Sequence, residues 1–426
     1  MNEVQNIKQL PKDWKWVTFN DVCIKIGDID HKMPKQLLTG YPYVSTKDFT
    51  DDLKISFNRA KYISEEDYLN LSRKIKPEKG DIIFPRYGTI GKNILIDFDK
   101  EFLVSYSCAI VKPNNDLVLS KYAYLYSLSP RVSKEIEKYV VETTQANIGI
   151  ASIKRFVFPL PPKPTQAAIV SKIEELFSEL DKGIENLHTA QQQLKTYRQS
   201  VLKWAFEGRL TNENVKEGEL PKGWKLTKLG EYIENISSGK SYRCDERPPG
   251  KDEIGIVKVS SVTWGFFDEM ESKTCFSKDF LNEKYLIEKG DLLFSRANTI
   301  EFIGACVIVH KIDKKLMLSD KILRFTLSKH VSKEYALYYL RSRKGRKQIE
   351  TLSTGNQDSM RNIGQEKIRQ IEFPYSSLKE QNNTVQAIES RLSVADKIEE
   401  TITQSLQQAE ALRQSILKKA FEGRLV

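Results

Sequence analysis

Apolar positions along the chain follow two different periods. Short apolar runs such as "DIIF" at 81–84, "CAIVK" at 108–112, "DLLF" at 291–294 and "ACVIVH" at 305–310 are separated by Gly, Pro and Asn turns and predict strands. "SKYAYLYSLSPRVSKEIEKY" at 120–139 and "SKEYALYYLRSRKGRKQIE" at 332–350 carry the helical period. Proline-bearing linkers follow, "FVFPLPPKPTQ" and "IEFPYSSLKEQ", after which the pattern settles into two long stretches at about 165–207 and 380–422. There apolar residues recur every three or four positions. Ile173, Leu176, Leu180, Leu187, Leu194 and Val201 line the first stretch, and Ile388, Leu392, Ile402, Leu412 and Ile416 the second. That spacing predicts a coiled-coil seam along helices roughly 60 Å long.

The two stretches end in nearly the same words. "RQSVLKWAFEGRL" at 198–210 and "RQSILKKAFEGRL" at 413–425 share eleven of thirteen residues. The echo extends upstream, where "LPKDWKW" at 10–16 matches "LPKGWKL" at 220–226 and "EKGDIIFPR" at 78–86 matches "EKGDLLFSR" at 288–296. The chain is a duplicated module. We expect an α+β protein with two similar globular domains separated by two long antiparallel coiled-coil helices, in a pseudo-two-fold internal repeat. The expected boundaries are a first head over 1–160, a central helical region over 161–214, a second head over 215–376 and a C-terminal helical region over 377–426.

A formal net charge of +10 in 426 residues favours a polyanionic partner without naming it. No segment has the composition of a secretory signal or the length of a membrane span. Five dispersed cysteines read as reduced thiols of a cytoplasmic protein, and scattered histidines argue against a zinc site.

Motifs for catalysis are missing. "SSGKS" at 237–241 has Glu234 where a phosphate-binding loop needs its first glycine, and no Pro-Pro-aromatic methylation motif occurs. The acidic groups at 65–68 and 268–272 read as solvated faces rather than a metal-holding nuclease site. What recurs instead is a polar, basic set beside the strand ends. In the first half it is Ser45, Thr46, Lys47, Arg86, Tyr87, Thr89, Thr144, Gln145 and Asn147. In the second it is Lys258, Ser260, Ser261, Arg296, Asn298, Thr299, Asn356, Gln357, Ser359 and Arg361. These side-chain types bond base edges and phosphates, and they diverge between copies while their flanks stay alike. That contrast predicts two heads reading two different sequences.

Leu-Pro-x-x-Trp, Gly-Asp-Ile-Ile-Phe-x-Arg with Thr-Ile-Gly, Thr-Gln-x-Asn-Ile, "PLPPKPTQAAIVSKIEELFSELD" and "AFEGRL" together resemble the specificity subunit of type I restriction–modification systems, over nearly the whole chain and in both copies. The resemblance implies a non-catalytic subunit with two target-recognition domains, each reading one half of a bipartite, asymmetric site in double-stranded DNA. The helices would act as a ruler and, with adjoining surfaces, dock two methyltransferase subunits, which restriction subunits then join. It implies no cofactor in this chain, with S-adenosylmethionine, ATP and Mg on the partners. The second copy departs from the pattern at "NTIEFIG" and at Met360 and Arg361. A fused methyltransferase–nuclease would need the motifs that are missing. A plain coiled-coil adaptor would not explain divergent polar loops on a shared frame.

Overall fold

The computed structural model describes residues 10–31, 33–140, 146–212, 214–216 and 218–426, apart from the Asn356 side chain. Two compact units emerge. One comprises 1–188 with 403–426, the other 189–402, so each takes one end of each long helix.

In the first unit, strands Cys23–Gly27, Cys108–Pro113, Ile82–Pro85 and Ile94–Leu95 form an antiparallel sheet in that spatial order. A second sheet orders Lys61–Ile63, Tyr41–Val44 and Leu103–Val104, the last two parallel. The run "DIIF" does not alternate with polar residues because both of its faces are covered. Ile82 and Phe84 enter the core built with helix Ser120–Ser127, while Ile83 enters the other with Tyr43, Phe102 and Val104. The second unit repeats the plan. Strands Ile233–Ser238, Ile322–Leu327, Leu292–Ser295 and Cys306–Ile308 form its main sheet, where Leu292 and Phe294 face one core and Leu293 the other.

The long helices run over Lys163–Phe206 and Leu378–Phe421. The first starts two residues before the position the apolar period suggests, since Pro164 sits in the first turn, where its missing N–H costs nothing. In the first unit, Ile169, Val170 and Ile173 near the start of one helix share a core with Ile416, Leu417, Ala420 and Phe421 at the end of the other. In the second unit, Val201, Leu202, Ala205 and Phe206 meet Val385 and Ile388. Within each unit the helix segments are therefore antiparallel, and each pairing carries the same ion contact. Arg198 meets Asp396 at 2.7 Å and Glu399 at 2.8 Å, and Arg413 meets Asp181.

One expected seam residue is corrected. Leu412 is 51 % exposed, because the buried line runs through Ile402, Ala409, Ile416 and Ala420. Leu412 lies about 100° around the helix from Arg413, whose guanidinium takes the inward place over the Phe177 ring at 4.6 Å.

The repeated "AFEGRL" is a helix stop. Arg209 N–H donates to the Trp204 carbonyl and Gly208 N–H to that of Ala205, and Arg424 and Gly423 do the same to Lys419 and Ala420. This double bond pattern requires a left-handed residue after the helix, and Gly208 (φ 75°) and Gly423 (φ 68°) supply it. A Cβ at either glycine would lie 2.1 or 2.2 Å from Pro221 or Pro11, the prolines of the two "LPK" segments. Just before each stop, Phe421 packs edge-on against Tyr122 and Tyr126, and Phe206 against Tyr335 and Tyr339, all with ring centroids 5.0–5.1 Å apart.

Five free thiols are present, and strand register brings two of them together. Cys244 stands directly opposite Cys275 with sulfurs 3.8 Å apart, although 31 residues separate them in the chain.

Candidate nucleic-acid interface

The predicted loops meet through strand pairing. In the first unit Tyr87 bridges Asn147, and Ile148 N–H donates to the Arg86 carbonyl at 3.0 Å. In the second, Ala297–Asn298 pairs with Met360–Asn362, and Ile363 N–H donates to the Arg296 carbonyl at 2.9 Å. Segments some sixty residues apart are thereby joined at the same place on both frames.

At that place the two arginines differ. Arg86 is buried, and its guanidinium is held by Asp28, by the Ile148 carbonyl at 3.0 Å and by the Tyr106 carbonyl at 3.4 Å. Lys74 and His31 also reach Asp28, at 3.1 and 3.2 Å. Burial pushes the Asp28 carboxyl up, but the Lys74, His31 and Arg86 contacts outweigh it and hold it below the ordinary carboxylate value. Arg86 is thus a strut joining two loops rather than an outward reader. Ser238 stands where Asp28 does, since both strands bulge at the same step. Arg296 is only half-buried, touches Asn362 Oδ1 at 3.4 Å, and has no carboxylate within ion-pair reach among the described residues.

Other expected readers also turn out to hold the frame. Ser45 binds the Asp48 carboxylate through its N–H and hydroxyl, at 2.8 and 3.0 Å. Ser261 is buried, its hydroxyl donating to the Lys258 carbonyl at 2.7 Å. Arg361 is folded onto its own hairpin, donating to the Gly355 carbonyl at 2.9 Å and the Ser353 carbonyl at 3.0 Å. Thr299 caps a turn, its carbonyl accepting from Ile303 N–H at 2.8 Å. Thr144, Gln145 and the Asn356 side chain lie outside the described residues. Lys47, Thr89, Gln357 and Ser359 are exposed, while Thr46, Tyr87 and Asn147 are half-buried.

Lys258, Ser260 and Asn298 do converge, on a cleft of about 600 Å³ in the second unit that Lys273, Lys321 and Tyr242 also line. Its carboxylates are engaged: Glu246 bonds Lys273 at 2.6 Å, which holds its carboxyl below the ordinary value, and Asp320 accepts from Ser241. Lys273 comes from strand Ser272–Cys275 and Lys321 from the turn before strand Ile322–Leu327, and neither has a local signature in the sequence. Among the described residues no three His, Cys, Asp or Glu side chains gather to hold a metal, and no helix is long and apolar enough to cross a membrane.

Comparison with known proteins agrees with this duplicated frame. Residues 11–189 and 221–408 both match the family described as Type I restriction modification DNA specificity domain. The chain is similar to the type I restriction enzyme EcoKI specificity subunit of Escherichia coli K12, with 26 % identity over 83 % of this chain and 76 % of that protein. It is also similar to the StySPI specificity subunit of Salmonella potsdam, again 26 % identical over 83 % and 76 %. The HsdS subunit from Thermoanaerobacter tengcongensis shares the fold at a TM-score of 0.58, with 17 % identity and 99 % of both chains covered. A chain from a structure concerned with assembly and conformational transition of the type I R-M system reaches 0.72, at 18 % identity over 98 % of this chain and all of that one. Two matched specificity domains on one repeated frame place the chain in the type I restriction–modification DNA-specificity family, as a specificity subunit.

Proposed function

We propose that each head reads one half of a bipartite, asymmetric DNA site, that the long helices set the unread gap, and that methyltransferase subunits dock on the helices and adjoining surfaces. The observation that carries this reading is the contrast at one position of the shared frame, where Arg86 is locked to Asp28 and Arg296 is left available. Similar scaffolds with different polar groups at the strand ends are what two different half-sites require.

The testing experiment is co-expression with the modification subunit of the same system in a methylation-free host, followed by genome-wide mapping of modified adenines. A two-part motif with a fixed gap is the expected result; scattered or single-block methylation would overturn the reading.

Arg296→Ala should weaken binding to the cognate duplex by about 1–3 kcal/mol, roughly 5- to 150-fold, if the guanidinium reads a guanine. A base change in one half-site should then cost the variant nothing further. Uniform weakening on all duplexes would make Arg296 a phosphate contact instead.

Removing seven matched residues from both helices should shorten the recognised gap. Seven residues span roughly 10.5 Å of helix, and base pairs rise about 3.4 Å each, so the motif should contract by about three base pairs. An unchanged gap in the methylation map would end the ruler idea.

A further inference from the structure

A second cleft, of about 700 Å³, lies in the first unit, between the "LPKDW" segment, the start of helix Pro130–Tyr139 and the end of the second long helix. Its walls include Trp16, Arg131, Lys134, Lys418 and Arg424, four cations beside an aromatic face. Glu422, the one acid among its described lining residues, is paired with Arg424. The volume falls within the roughly 300–1,000 Å³ that ligand clefts occupy.

Two buried donors at this cleft are left without partners. Ser129 is 1 % exposed and its hydroxyl has no hydrogen bond, and Arg131 Nε is likewise buried and unpaired. The contrast with the second unit is informative. There Ser342 holds the same place and accepts from Gly345 N–H at 3.2 Å, capping its helix, whereas Ser129 makes no such bond. An orphaned hydroxyl and guanidinium N–H at a helix N-terminus, ringed by lysines, form a site for an anion. Arg131 also stacks over Trp16 at 4.7 Å, so the anion would sit beside an apolar plate.

Base reading does not account for this cleft. None of the expected base-reading residues lines it. Part of the lining comes from "LPK" and "AFEGRL", words the two copies share, and the rest from Trp16, Lys418 and the start of helix Pro130–Tyr139. A pattern of positive charge kept in both copies suits an acidic partner that is the same for both. The second copy retains the charges as Lys203, Arg209, Lys344 and Lys347, with Leu226 where the first has Trp16.

We propose that this cleft takes an acidic, apolar-anchored segment of the modification subunit, its carboxylates bonding Ser129 and Arg131 and its apolar residue lying on Trp16. The proposal rests on the docking role given above and narrows it to one site.

The test uses the full chain assembled with modification subunits and cognate duplex, with a photo-crosslinking phenylalanine in place of the exposed Lys134. Crosslinks should map by mass spectrometry to an acidic stretch of the modification subunit. Crosslinks to DNA, or to this chain alone, would overturn the proposal. In parallel, Arg131→Glu should raise the Kd for the modification subunit at least tenfold with DNA binding by the isolated chain unchanged. Arg131→Gln, which removes the positive charge without reversing it, should give a smaller loss and an unshifted melting curve. A wild-type complex that both variants leave intact sinks this proposal alone. Failure of the wild-type chain to bind any modification subunit sinks the docking role as well.

Discussion

Arg86→Ala should unfold the first head rather than merely blunt its DNA reading. The substitution removes one partner of a buried ion pair and leaves Asp28 with only the more exposed Lys74 and His31. Breaking such a pair from one side costs about 3–5 kcal/mol, because a buried charge loses its compensation. It also frees the Ile148 carbonyl, so the bond between the two loops goes with it. The double variant Asp28→Ala, Arg86→Ala should be less damaging than Arg86→Ala alone, since no uncompensated charge then stays behind. Thermal unfolding of both variants decides the matter. A wild-type melting curve for Arg86→Ala, with recognition lost at one half-site, would return Arg86 to the readers. The same cluster sets a pH dependence. Asp28 has a lowered folded pKa, so its contribution is present above the ordinary carboxylate value and lost as pH falls through the folded one.

The second large effect is expected at a residue with no part in recognition. Gln166 is completely buried at the start of the first long helix. Its Oε1 accepts from Leu119 N–H at 2.8 Å, and its Nε2 donates to the carbonyls of Leu117 at 3.0 Å and Pro161 at 2.9 Å. Gln381 repeats the arrangement with Ser332 N–H and the carbonyls of His330 and Ser376. Gln166→Leu keeps the volume and takes the partner from three backbone groups, one buried and two partly buried, each worth about 1–3 kcal/mol where water cannot replace the amide. A loss of about 3 kcal/mol or more should lower the melting temperature of the first unit by roughly 6–12 °C. Gln381→Leu should act the same way on the second unit. A shift under about 2 °C in both would show that water reaches these groups and replaces the amide.

These cases mark where the sequence could be read and where it could not. Gly208 with Gly423, and Gln166 with Gln381, stand at matching places in the two copies because one local job is done twice; such jobs involve near neighbours and leave a pattern. The strands were legible for the same reason, "DIIF" and "DLLF" each supplying both faces of a covered strand. The site was harder. Whether an arginine points outward depends on one carboxylate 58 residues away, present as Asp28 in one head and replaced by Ser238 in the other. Arg361 looked like a reader because an exposed hairpin and a self-bonded one read alike in one dimension. Leu412 fits the spacing by composition, yet Arg413 takes the inward place with its guanidinium over the Phe177 ring, which apolar periodicity does not register.

The makeup of the two units also bears on synthesis. The second unit, 189–402, is continuous in the chain, whereas the first requires 403–426 to complete 1–188. At about 5–20 residues per second, the 238 residues after position 188 take roughly 12–48 s to translate. For that interval Tyr122 and Tyr126 lack Phe421, which closes their core in the finished molecule. The head made first is the one finished last, and it reaches its final packing only when the end of the second long helix has been made.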